Sequence, residues 1–117
     1  GVFDLERKIR IAATLASLSN RFGKRLWITE TNWPLLDTKP FTPNSGSPRS
    51  TVNEATQAKY LTDYYQTAWR TGLVERVYWW QLNQAGYGLV DHRPNIPRKM
   101  PSFYAFKKLL SPNGLSS

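Results

Sequence analysis

The stretch Arg25–Pro34, RLWITETNWP, decides how the rest of the chain is read. Arg25 to Thr29 is rich in bulky and branched side chains and nearly all apolar, which predicts a parallel strand covered on both faces. Glu30 stands at its last step, and Thr31, Asn32, Trp33 and Pro34 then break the pattern. A carboxylate in that place has two readings. It is either a strand-end acid paired with Lys24 or Arg25, or a group held where chemistry occurs. The flanking segments bear on the choice.

Upstream, Phe3–Gly23 (FDLERKIRIAATLASLSNRFG) puts Leu5, Ile9, Ala12 and Ala16 on one stripe and Ile11, Leu15, Leu18 and Phe22 on the adjoining one. That periodicity predicts a helix, with Asp4 as N-cap or first-turn acid and Gly23 ending it in the left-handed position after the last turn. Downstream, residues 32–50 hold four prolines among Thr, Asn, Ser and Gly. A structureless connection of that length is long for a compact domain, and loops of that size tend to be functional or disordered.

Thr51, with Glu54 three residues later, forms the pattern of a capping box. It opens a second helix over residues 54–71, with Ala58, Leu61, Tyr65, Ala68 and Trp69 as the predicted buried stripe and Gly72 as terminator. A second strand follows in residues 75–83, ERVYWWQLN, then a Gly-containing loop, and a last helix over residues 102–110, SFYAFKKLL. The order helix-strand-helix-strand-helix is α/β grammar. A strand, a helical crossover and a second strand make a right-handed unit whose two strands lie parallel. Two parallel strands leave both outer edges unpaired, so the chain is expected to be a piece of a larger α/β architecture or to complete its sheet by association, and a (β/α)8 barrel has the right local grammar. Such barrels carry their active sites on the loops after the strands, where Glu30 falls.

The chain has 117 residues, with 16 Lys and Arg against 8 Asp and Glu and a net charge of +8. The cations are scattered in ones and twos, without a nucleic-acid-binding signature, which argues against nucleic acid and for a solvated basic surface. A basic binder of anionic polymers remains the third of three functional readings. No cysteine is present, so neither disulfides nor Cys-ligated zinc is available, and the single histidine, His92, argues against a transition-metal centre. No apolar run reaches the about 20 residues of a membrane helix. The sequence carries no localisation signal.

The ends of the two strands collect a distinct set of side chains: Glu30 and Trp33 after the first, and Trp79, Trp80, Gln81 and Asn83 after the second. Indole faces stack on the apolar faces of sugars, while amides and carboxylates hydrogen-bond hydroxyls. For any single tryptophan, core packing is the competing role.

Leu26–Pro34, Gly72–Asp91 (GLVERVYWWQLNQAGYGLVD) and Arg93–Leu110 (RPNIPRKMPSFYAFKKLL) together resemble the C-terminal part of a clan A retaining glycoside hydrolase. The resemblance covers nearly the whole chain and implies a TIM-barrel fragment running from helix six to helix eight over residues 1–117. It implies that Glu30, after Thr29, is the nucleophile. It also implies that the Trp79-Trp80 segment floors the subsite where the bond breaks, Trp80 being preferred because neighbours on a strand face opposite ways. Asp91, in the segment Tyr87–Asp91, is implied as structural or substrate-binding, and Asp37 can contact substrate from its loop.

Such an enzyme needs no cofactor, but it needs a second carboxyl about 5 to 5.5 Å from the first. The clan takes that acid from an Asn-Glu pair. The only such pair here, Asn53-Glu54, lies in a helix start. The expectation is therefore half of a catalytic pair, a carbohydrate substrate, a requirement for the N-terminal part of the barrel, and self-association through exposed strand edges when alone. The alternative is a non-catalytic carbohydrate-binding or degenerate barrel domain.

Overall fold

The computed structural model of the protein describes residues 8–33, 35, 52–83 and 86–116. It is a mixed α/β structure of three helices and a two-stranded parallel sheet, in the order α1 (Lys8–Phe22), β1 (Leu26–Thr31), α2 (Glu54–Thr71), β2 (Val74–Trp79), β3 (Val90–Asp91), β4 (Arg98–Lys99) and α3 (Pro101–Leu109). The β3–β4 hairpin is antiparallel and lies within the segment expected to be loop. The predicted cap at Asp4 and the loop residue Asp37 lie outside the described residues.

β1 and β2 pair from Leu26 opposite Val74 to Thr31 opposite Trp79, with an irregularity between Ile28 and Thr31. Leu26, Ile28, Val74, Val77 and Trp79 turn towards the helices, and Leu15, Trp33 and Tyr64 are the buried centre of that cluster. A second cluster joins Leu61 of α2, Leu89 and Leu109 of α3, with Tyr65, Phe103 and Phe106 around them. Trp79 packs against both clusters.

The expectation of a strand covered on both faces does not hold. Trp27, Thr29 and Glu30 on β1 and Arg76 and Tyr78 on β2 are exposed, because the helices cover only one side of the described sheet. On that open side Arg76 lies over the Trp27 ring at 4.7 Å, and the Trp27 indole N–H donates to Glu75 at 2.9 Å.

The helices depart from their predicted faces in ways packing explains. In α2 the buried line runs through Gln57, Leu61, Tyr64 and Ala68, and Trp69 is 52% exposed. Leu61 and Ala68 are buried as expected, but Tyr64 replaces Tyr65 at the centre of the line because it meets Trp33 edge to face, at 5.5 Å. The N-cap of α2 is Asn53, whose side chain accepts from the Thr56 amide at 2.7 Å, and not Thr51. In α1 only Leu15 is fully buried among the described side chains, while Leu18 and Phe22 are exposed. Gly23 (φ 61°) and Gly72 (φ 67°) take the left-handed conformation expected after each helix.

Candidate functional site

The parallel pairing brings the C-terminal ends of β1 and β2 side by side. The Trp80 amide donates to the Thr31 carbonyl at 3.0 Å, continuing the ladder one step past Trp79. Glu30 is exposed near the end of β1, next to the buried Thr31. Trp80 is 42% exposed just beyond the end of β2. The peptide bond between Trp80 and Gln81 is cis.

The loops after the two strands are tied together by side-chain amides. Asn32 Nδ2 donates to the carbonyl of Trp80 and, at 2.7 Å, to that of Tyr87. Gln57, completely buried on the first turns of α2, donates from Nε2 to the Trp33 carbonyl at 2.8 Å and the Gly86 carbonyl at 3.3 Å. The Leu35 amide also reaches Gly86 O, at 2.9 Å, and the Trp79 indole N–H reaches Tyr87 O, at 3.2 Å. Val52 and Leu35 form a parallel bridge. Residues after β1 are thus bound at several points to residues after β2, which gives the strand ends a defined mutual geometry.

The six tryptophan, amide and acid positions picked out around Glu30 separate into different environments. Trp33 is 2% exposed and packs against Tyr60, Tyr64 and Trp79, so its ring faces the core. Trp79 is partly buried between the two apolar clusters. Trp80 alone among the three offers an open indole face, in keeping with the alternation of neighbours along a strand. Gln81 is partly buried and Asn83 exposed in the segment that follows.

Asp91 is buried and held by Arg93, whose Nη2 and Nε donate to its two oxygens at 2.7 and 2.9 Å, with the Arg93 amide adding a third contact at 3.0 Å. These charge-assisted bonds hold its carboxyl below the usual carboxylate range. Its oxygens are committed to the hairpin.

Apart from Glu30, the other acids among the described residues are similarly engaged. Arg98 grips Glu54 with two bonds, at 2.6 and 2.9 Å, and lowers its pKa, while Asn53 caps the helix, so the Asn-Glu pair is structural. Glu75 pairs with Arg25 at 3.7 Å, and Asp63 with Lys59 at 3.1 Å. Arg25 is therefore turned to Glu75 and not to Glu30. Several cations are likewise spent on partners or stacked on rings, Arg21 over Phe22 and Lys99 over Phe103 among them, which disperses the positive charge. His92 is exposed.

Among the described residues no three His, Cys, Asp or Glu side chains converge to hold a metal ion, and no helix is long and apolar enough to cross a membrane.

Asn32 and Gln57 are the residues that sequence reasoning passes over. Both leave a trace: Asn32 sits in the decisive stretch itself, and Gln57 lies one helical turn before Leu61, where an apolar residue is expected. Set against family models, curated proteins and solved structures, the chain matches none of them.

Proposed function

We propose that this chain supplies the nucleophile half of a retaining glycoside hydrolase, as the part of a (β/α)8 barrel that runs from the sixth helix to the eighth. The observation that carries the reading is that an exposed Glu30 carboxylate and an exposed Trp80 ring both stand at the C-terminal ends of two adjacent parallel strands. The open face of the sheet supports the barrel, since that face would turn inward. So does an apolar groove between Tyr65, Ala68, Val77, Phe106 and Leu109 along β2, where outward side chains of a further strand would fit.

In this reading the sugar ring lies on the Trp80 face, and a Glu30 oxygen attacks the anomeric carbon. The bond to the leaving oxygen breaks as that oxygen takes a proton from an acid on another strand of the parent. Water then attacks the glycosyl ester, giving its proton to the same group, and Glu30 returns to a carboxylate. Asp91 and Glu54, both bound by arginines, are not placed to serve as that acid. The isolated chain is expected to be inactive on ordinary glycosides.

The test is a 2-deoxy-2-fluoro glycoside with a dinitrophenolate leaving group, which departs without protonation, so that the nucleophile can act without its acid. Intact-mass and peptide mass spectrometry should find one glycosyl group on Glu30 and none in Glu30→Gln. A label on another residue, or none on the full-length protein, would sink the hydrolase reading. Trp27 and Tyr78, exposed on the same side as Trp80, favour sugar binding without catalysis as the second reading. That alternative expects oligosaccharide binding unchanged in Glu30→Gln and lost in Trp80→Ala.

A further inference from the structure

We infer that Asn32 is a positioning residue that sets the Trp80 platform against Glu30. The inference rests on the functional reading above only for what the platform is used for. Asn32 lies two residues after Glu30, at the point where β1 ends. Its side-chain amide has two N–H groups, and it uses Nδ2 on two carbonyls of the facing loop, those of Trp80 and Tyr87. The first belongs to the residue whose ring is exposed just beyond the end of β2. The second belongs to the residue that also accepts from the Trp79 indole.

Trp80 is thereby fixed at both ends of its backbone: its amide by Thr31 and its carbonyl by Asn32, two consecutive residues of the segment that presents Glu30. A ring held by its own main chain moves when that main chain moves. Among the described residues, no other side chain is shown gripping the Trp80 backbone.

The chemistry demands an amide at position 32. Aspartate has the same shape but places a carboxylate oxygen against two carbonyl oxygens, turning two attractions into two repulsions. Serine is too short to span both carbonyls. Gln57 does a related task one layer deeper, joining Trp33 to Gly86, and does not touch Trp80. It therefore serves as a control of comparable structural weight.

The experiment is 19F NMR of the chain labelled with 5-fluorotryptophan, the Trp80 resonance being assigned from Trp80→Phe. In Asn32→Asp the Trp80 signal should shift or broaden beyond its wild-type line width while those of Trp27 and Trp69, remote from the loop, stay in place. In Gln57→Leu the Trp80 signal should stay as in wild type. The rate at which the fluoro-glycoside labels Glu30 should fall in Asn32→Asp on the order of 10- to 100-fold, as for a small misplacement of a binding group.

An unmoved Trp80 signal in folded Asn32→Asp overturns the inference, whatever happens at Glu30. A moved signal with no label on Glu30 in any variant leaves the positioning role standing and sinks the hydrolase reading instead. Should Asn32→Asp not fold, the wild-type chain decides: the Asn32 side-chain protons should exchange slowly and show cross-peaks to Trp80, and fast exchange without them overturns the inference.

Discussion

Replacing Gln57 by glutamate would put a carboxylate at a polar side chain that is fully buried. Gln57 is fully buried, its Nε2 serves the Trp33 and Gly86 carbonyls, and its Oε1 has no partner among the described residues. The carboxyl introduced by Gln57→Glu would have the same shape, face two carbonyl oxygens and have no ion-pair partner among the described residues. A fully buried carboxyl has its pKa raised by about 3 units or more, and at about 1.4 kcal/mol per unit this costs about 4 kcal/mol at neutral pH.

The sign follows from linkage. The folded-state pKa of the introduced carboxyl would lie above its unfolded value of about 4.3, so the penalty is absent below that pH and grows until the folded pKa is passed. In its protonated form the new side chain can also donate one hydrogen bond to Trp33 O, replacing part of what Nε2 supplied. Gln57→Leu lacks the charge. It loses the donor but also removes the unpartnered Oε1, and should cost about 1 kcal/mol at every pH.

The assay is urea unfolding of wild type and both variants at pH 7 and pH 4, followed by far-UV circular dichroism and compared as differences from wild type at each pH. The expected pattern is a glutamate penalty of about 4 kcal/mol at pH 7 that shrinks to about 1 to 2 at pH 4. A glutamate variant as stable as Gln57→Leu at pH 7, or equally destabilised at both pH values, would refute the buried, cation-free setting of Gln57.

Other expectations concern the two cores and their charges. Leu61→Ala, at a fully buried site between α2 and α3, should cost about 2 to 5 kcal/mol and be read as a lower urea midpoint with unchanged slope; a loss under about 1 kcal/mol would mean the site is not enclosed. Asp91→Asn should cost about 1 to 2 kcal/mol at pH 7, a value reduced by the partial exposure of Arg93. Because the pairing depresses the folded pKa of Asp91, that contribution is present above its unfolded value and disappears as pH falls through the folded one, so wild type and variant should converge in strong acid. Tyr64 is pushed up to about 12 by burial, with the Thr31 hydroxyl acting the other way, and burial raises Tyr65 as well. An ultraviolet titration should therefore show both phenols resisting ionisation past their ordinary value of about 10, with stability falling as pH rises beyond it; two ordinary titrations in folded protein would contradict their packing.

The helices, the two strands and the left-handed glycines are legible in the sequence because each rests on local chemistry. Gly23 and Gly72 terminate helices through backbone freedom that needs no neighbour. In α2 Leu61 and Ala68 are buried as predicted, while Gln57 and Tyr64 take the places expected of Ala58 and Tyr65, which satisfy the helical period about equally. Only Trp33, arriving from a loop well before Tyr64 in the chain, chooses between them. The short β3–β4 hairpin is not legible, since two-residue strands leave no periodicity and the Arg98–Glu54 pair that accompanies it joins residues 44 apart in the chain.

The same division runs through the candidate site. By itself, the sequence determined that a carboxylate ends one strand and a pair of tryptophans ends the next, because strand and helix periods are written in consecutive residues. Tertiary structure alone decided that Trp33 is core and Trp80 open, that Glu54 is bound by an arginine, and that Asn32 and Gln57 join the two loops. Those outcomes depend on which groups meet across tens of residues of chain, where burial and hydrogen-bond partners are set by packing and not by neighbours in sequence.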